Sequence, residues 1–318
     1  LRRRTSTKWR SYPEDVLPMF IAEMDFPTPP PVKAALKAAI ENNDTGYAAT
    51  ADRGAAQAYA DFAAARWGWR PDPERIMYTT DVTVVIVEAL RRLIRPGEGV
   101  VLTPPVYAPF YHLVAEAGCR PVEVPLQDDG AAYRLDLPGI DAALAAGARA
   151  VLLCNPHNPL GLVHAREELT ELAEIVERHG AHVVSDEIHA PLTHHGAAFT
   201  PYLSVSDAAR RHGVAAASGS KAFNLAGLKA AMFVVDSEPM AQWLATVPDA
   251  VSYRTGVMGL LATQEGFRHA TDWLDATIEV IESNIALLER QLADKLPQVR
   301  FRRGSATYLA WLDMRDLG

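Results

Sequence analysis

The chain has 318 residues, 49% of them hydrophobic, enough for a large core and for one large domain with a smaller companion. Its formal net charge of −8 argues against nucleic acid as the main partner, and the short Arg2-Arg3-Arg4 run reads as a solvated terminus. No apolar run reaches the roughly eighteen residues that a membrane span requires, and two cysteines, Cys119 and Cys154, cannot make a disulfide framework.

Both cysteines sit in apolar, strand-like surroundings and read as buried free thiols in a reducing cytoplasm. Leu1 to Arg10 is basic, but Ser11 to Asp15 follows without a long apolar stretch, so no signal peptide is expected. From about residue 76, short apolar runs alternate with longer amphipathic ones. Ile76 to Tyr78 predicts a strand, and Val82 to Leu93 a helix ended by Pro96-Gly97. Gly99 to Thr103 is a predicted strand and Tyr107 to Glu116 a helix. Arg149 to Cys154 is a strand running into an Asn/Pro/Gly loop. Glu167 to His179 predicts a helix that stops at Gly180. His182 to Ser185, Val214 to Ala217 and Met232 to Val235 are further strands. Strands alternating with helices imply right-handed crossovers and a mostly parallel sheet, hence an α/β fold with a three-layer α/β/α large domain. Asp272 to Lys295 then carries Trp273, Ile278, Ile281, Ile285, Leu288 and Leu292 close to helical spacing. Val299 to Phe301 and Thr307 to Leu312 predict two last strands. The expected division is 45–263 as the large domain, with 1–44 and 264–318 as a smaller α+β domain.

In open α/β sheets a ligand lies beyond the carboxyl ends of the strands, so the loops after the predicted strands form the candidate site. Ser218-Gly219-Ser220-Lys221 follows one strand. A lysine there can form an imine with an aldehyde once desolvation lowers its pKa, and the serines can donate to a phosphate. The same residues also read as a turn with a surface lysine. Asp186 ends the run Val183-Val184-Ser185-Asp186. A buried carboxylate there needs a cationic partner, such as a protonated pyridine nitrogen, unless it caps the next turn. Asn155-Pro156-His157-Asn158-Pro159-Leu160-Gly161 is either a plain turn or a rigid loop that places the Asn158 amide against a phenolic oxygen. Thr79-Thr80-Asp81-Val82-Thr83 leads into a helix whose first amides, at Val82 and Thr83, can receive a phosphate together with the Thr83 hydroxyl. Asp81 would repel phosphate and reads as the N-cap with its side chain turned inward. Tyr107, after Pro104-Pro105, either packs or lays its ring on a flat cofactor. His189, His194 and His195 match no common zinc spacing, so no metal is expected.

As an ordered set, Asn-Pro-x-Asn-Pro-x-Gly, then Asp186-Glu187-Ile188-His189, then Ser218-x-Ser220-Lys221 resembles the fold-type I enzymes that use pyridoxal 5′-phosphate (PLP), the class I/II aspartate aminotransferase superfamily. The likeness runs through nearly the whole chain. Finer detail is similar to the MalY/PatB branch, the cystathionine β-lyase or C–S lyase group. The segments that carry it are Lys8-Trp9, Tyr12 to Pro18, Ala22-Glu23-Met24-Asp25-Phe26, Asp186 to Leu192, Lys221 to Leu228 and Ser305 to Asp313.

The resemblance implies that Lys221 carries PLP as a Schiff base and later acts as the base at the substrate Cα. It implies that Asp186 pairs with the pyridine nitrogen, Asn158 bonds the ring oxygen and Tyr107 stacks on the ring. Ser218, Ser220, Val82 and Thr83 would hold the phosphate, and His189 would lie in the loop after Asp186. Gly46-Tyr47 matches a Gly-Tyr pair whose tyrosine reaches the partner subunit's phosphate, which implies a homodimer with shared active sites. Met24 to Phe26 would line the substrate pocket or pack a domain seam. Lys229 stands where many aminotransferases have a phosphate-contacting arginine and keeps the charge without the fork. The family continues past the position matching Gly318, through a strand bearing the arginine that clamps the substrate carboxylate. The implied activity is α,β-elimination from cystathionine or a cysteine S-conjugate. Transamination by a class I/II aminotransferase, and a PLP-binding regulatory protein with little catalysis, are the alternatives.

Overall fold

The computed structural model describes residues 1–317. In chain order the strands are β1 (Ile76–Thr79), β2 (Gly99–Leu102), β3 (Arg120–Glu123), β4 (Gln127–Asp128), β5 (Tyr133–Arg134), β6 (Ala148–Cys154), β7 (His182–Asp186), β8 (Gly213–Ala217), β9 (Ala231–Val234), β10 (Arg300–Phe301) and β11 (Leu312–Asp313). Seven of them form the central sheet, in the order β1-β9-β8-β7-β6-β2-β3. Strands β8, β7, β6, β2 and β3 pair parallel, and β9 runs antiparallel to both its neighbours. Strands β4 and β5 form a separate hairpin, as do β10 and β11.

The central strands read as continuous apolar runs because both faces are covered. Alternate residues point to opposite faces and enter different cores. Val151, Leu153, Val183 and Ala215 join one apolar cluster, with Ile140 and Leu144 from the helix Leu137–Ala145 and Leu169 and Leu172 from the helix Arg166–Arg178. Leu152, Val184, Val214 and Ala216 join the other, with Ile86 and Leu90 from the helix Val82–Leu93 and Phe110 from the helix Pro109–Glu116. These are the three layers expected from the sequence.

Two expected elements differ. The helix expected from Tyr107 starts at Pro109, where a proline at the first helical position has no N–H to leave unpaired, and Tyr107 stays in the loop before it. Thr307 to Leu312 is not one strand. Thr307 has φ 69, its N–H donates to the Leu192 carbonyl, and only Leu312–Asp313 pairs with β10. The expected seam at 263/264 falls inside the helix Val257–His269, which packs on the helices Pro30–Glu41 and Gly54–Trp67. The long helix Thr271–Lys295 opens the last part of the chain. No described helix is long and apolar enough to cross a membrane.

Candidate active site

Register gathers the predicted loops on one edge of the sheet. Cys154 lies opposite Asp186, and Asp186 opposite Ala216. Thr79 and Ala217 reach the same edge through β9, opposite Ala231 and Met232. The segments after β1, β6, β7 and β8 therefore open where a ligand of an open α/β sheet binds.

Asp186 is 6% exposed at the end of β7, and its Oδ1 accepts the Ile188 N–H at 3.1 Å. Burial pushes its carboxyl up to about 6, partly opposed by that N–H and by Lys221. A buried carboxyl with no cation bonded to it is suited to a positively charged ring nitrogen. Burial likewise pulls the Lys221 amine below its ordinary value, with Asp186, Glu23 and Asp81 opposing. Lys221 Nζ donates to the Ala22 carbonyl at 2.8 Å, and the Tyr308 hydroxyl donates to the same oxygen at 3.0 Å. His189 is buried, its Nδ1 has no partner among the described residues, and its ring lies 6.1 Å from that of Tyr308. Burial, then the Lys221 charge, pushes His189 down to about 3, so it is a neutral ring at any working pH.

Asn158 is half-buried, with its backbone N–H on Cys154 Sγ at 3.2 Å. Gly161, which closes its loop, has φ 63, and a Cβ there would lie 2.5 Å from the Ala306 carbonyl oxygen, so only glycine fits. Tyr107 is half-buried with its ring edge-on to Phe110; burial raises its hydroxyl, and Asp186 and Cys154 add to this. The Asp81 carbonyl takes the N–H groups of Val84 and Val85, which leaves the Val82 and Thr83 amides at the free N-terminus of the helix.

Several expected roles change in the structure. Asp81 holds the N-cap position, but its side chain makes no cap bond; it pairs instead with Lys229 Nζ at 3.0 Å. The Lys229 charge is thus offset by a carboxylate at the helix start. The Ser218 hydroxyl donates to the Ala230 carbonyl at 2.7 Å and accepts the Ser220 N–H at 3.0 Å, so it is engaged within its own turn. Ser220 is half-buried beside it. Met24 packs in the core, not in a pocket, while the carbonyls of Met24 and Phe26 are held by Arg4 and Asn224. Tyr47 lies apart from this group, 80% exposed and with its ring 5.0 Å from that of Tyr253. No group of three or more His, Cys, Asp or Glu side chains among the described residues could hold a metal.

Three participants are absent from the sequence reading: the Ala22 carbonyl, the Tyr308 hydroxyl and Glu187. All three lie in segments that carry the branch resemblance, but no spacing says that the first two meet at Lys221. Glu187 is 2% exposed; its Oε1 accepts from Ser185 Oγ at 3.0 Å and Tyr202 N at 2.8 Å, and its Oε2 has no partner. Burial, with Asp186 adding to it, pushes Glu187 up to about 8, above the about 6 of Asp186, so Asp186 is the first of the pair to ionise. A carboxyl raised from 4.5 to about 8 on folding holds its proton more tightly in the native state. Native stability therefore falls as pH rises across that window, by about 1.4 kcal/mol per unit. Glu187→Gln should remove this slope. Urea denaturation at pH 6 and pH 9 is expected to show the variant gaining on the parent by a few kcal/mol at the higher pH.

A buried acid at one strand end, a desolvated lysine after the next strand and free helix amides on the same edge fit the ring, aldehyde and phosphate of PLP. With this sheet they define a PLP-dependent fold-type I enzyme. The chain belongs to the family described as aminotransferase class I and II, whose model matches residues 14–317. Among its relatives, a Mycobacterium leprae protein provisionally named a cystathionine beta-lyase is 44% identical over 327 residues, covering 100% of this chain and 79% of that protein. Cystathionine beta-lyase PatB of Bacillus subtilis is 35% identical, covering 98% and 82%. The crystal structure of cystalysin from Treponema denticola, which contains PLP, superposes with a TM-score of 0.93 at 25% identity, covering 100% and 83%.

Proposed function

We propose that this enzyme is a carbon–sulfur β-lyase that releases a thiol, pyruvate and ammonia from cystathionine or a cysteine S-conjugate. The relatives named for cystathionine β-lyase activity support the reaction type. The observation that carries the chemistry is the presence, on one sheet edge, of buried Asp186 at the end of β7 and the desolvated amine of Lys221 after β8. PLP, when bound, supplies the imine-forming aldehyde and the electron-accepting ring. Lys221 would carry the aldehyde and, once released, take the substrate Cα proton on Nζ; a lowered pKa leaves more of the amine free to do so. The Ala22 carbonyl, 2.8 Å away, would orient the amine by accepting one of its protons. Asp186 would keep the ring nitrogen cationic. Asn158 would donate to the ring oxygen, with Tyr107 covering one ring face and neutral His189 in the loop that follows Asp186. Val82, Thr83, Ser218 and Ser220 would receive the phosphate, with Ser218 exchanging its Ala230 bond for it. Tyr47, exposed as a monomer would leave it, would complete the phosphate site of a partner subunit in a homodimer of a cytoplasmic enzyme.

The test is incubation with cystathionine and no added keto acid. Pyruvate should form over many turnovers per enzyme, together with a free thiol. Product that depends on an added keto acid would instead show a transaminase.

A further inference from the structure

The loop Asn155 to Gly161 is braced by buried His164 and partly buried Glu168, which have no part in the site described above. His164 is 1% exposed. Its Nδ1 lies 3.1 Å from Glu168 Oε2 and its Nε2 lies 3.2 Å from the carbonyl oxygen of Cys154. A peptide carbonyl can only accept a hydrogen bond, and so can an ionised carboxylate. The other Glu168 oxygen is also used as an acceptor, from the Leu135 N–H at 2.7 Å. A neutral imidazole has a single N–H. It would satisfy one of these acceptors and turn a lone pair on the other, at a ring that is itself fully buried. The doubly protonated ring satisfies both, with the Glu168 carboxylate as its counter-ion.

The surrounding groups agree. Burial alone would raise Glu168, yet it lies below its ordinary value because His164 bonds it, with the Leu135 N–H and Arg134 contributing. His157, whose ring is 5.8 Å from that of His164 and edge-on to it, is pushed down to about 3 by burial and then by His164. His157 Nε2 lies 2.9 Å from the Pro105 carbonyl oxygen and as a neutral ring can donate to it. The thiol of Cys154, raised by burial, is neutral as well.

The far end of this brace is Asn158. Cys154 is the last residue of β6, and its thiol accepts the Asn158 N–H at 3.2 Å and lies 3.6 Å from the Pro156 carbonyl oxygen, to which it donates. We infer that His164 is a positioning residue: a buried imidazolium, ion-paired to Glu168, that fixes the Cys154 carbonyl and through it the backbone of Asn158. This rests on the proposed place of Asn158 at the cofactor ring.

Nitrogen-15 NMR of the histidine-labelled full chain with PLP bound tests the charge state. Two ring N–H protons should be seen at His164 at pH 7, with Glu168→Gln, expected to leave one, providing the assignment. A single N–H in the parent protein would overturn the inference. His164→Gln tests the positioning. Its PLP dissociation constant should rise about tenfold, with an altered cofactor absorbance and unchanged far-UV circular dichroism. Parental affinity and absorbance in that variant would overturn it too. If the parent protein takes up no PLP, it is the cofactor reading that fails. If the parent binds PLP and His164→Gln binds it equally well, this inference alone fails.

Discussion

Lys221→Ala is expected to lower turnover by about a thousandfold or more and to remove the visible absorbance of the protein-linked cofactor. Two functions would be lost at once: the covalent attachment of PLP and the base at the substrate Cα. An alanine supplies neither, and the neighbouring groups cannot stand in. His189 is held neutral by burial, and the Tyr308 hydroxyl is raised well above the working range, first by burial and then by Glu23. The variant should fold, because Lys221 makes a single hydrogen bond, to an Ala22 carbonyl that Tyr308 also serves. Far-UV circular dichroism and steady-state pyruvate release read the two effects separately. Turnover near the parental rate would refute the lysine as base.

Asp186→Asn should show opposite effects with and without cofactor. In the loaded enzyme a neutral amide cannot hold a ring nitrogen protonated, so activity should fall by about a hundredfold or more. In the absence of PLP the parent carries a carboxyl raised from 3.8 to about 6. That proton is bound more tightly folded than unfolded, so this contribution to stability is fullest below about pH 4. It declines as pH rises through 6 and is flat above. Asparagine has no such slope, and cofactor-free Asp186→Asn should gain on the parent by up to about 3 kcal/mol above pH 6. PLP affinity should move the other way in the parent, strengthening between pH 5 and pH 7 as the carboxylate forms, and should stay level in the variant. Equilibrium denaturation and absorbance titration across that range check both arms. Equal pH dependence in the two proteins would remove Asp186 as the partner of the ring nitrogen.

Much of the sheet was legible in the chain because burial on both faces leaves a local mark. Val151 to Leu153 and Val183-Val184 read as strands without any knowledge of their neighbours. Asp186 and Lys221 were legible for a related reason: Asp186 ends β7 and Lys221 lies in the loop after β8, so each strand's position places its residue. Tyr107 was misread as helical because its apolar neighbours continue the helix pattern, and Pro109 decides the start. His164 carried no signal at all. It follows an irregular loop, and the acceptors that give it meaning are a backbone carbonyl ten residues back and a carboxylate four residues on.

The amino-acid order alone determined the layered α/β architecture, the edge of the sheet where the candidate site lies and the residue types gathered there. These depend on propensity, apolar period and contiguity, which act over a few residues. The tertiary structure decided which group each side chain meets. Asp81 turns to Lys229 across 148 positions, and Lys221 meets the Ala22 carbonyl across 199. Such pairings are made when distant loops close over a desolvated edge, where an unmatched polar group is costly, and no local pattern encodes which partner will arrive.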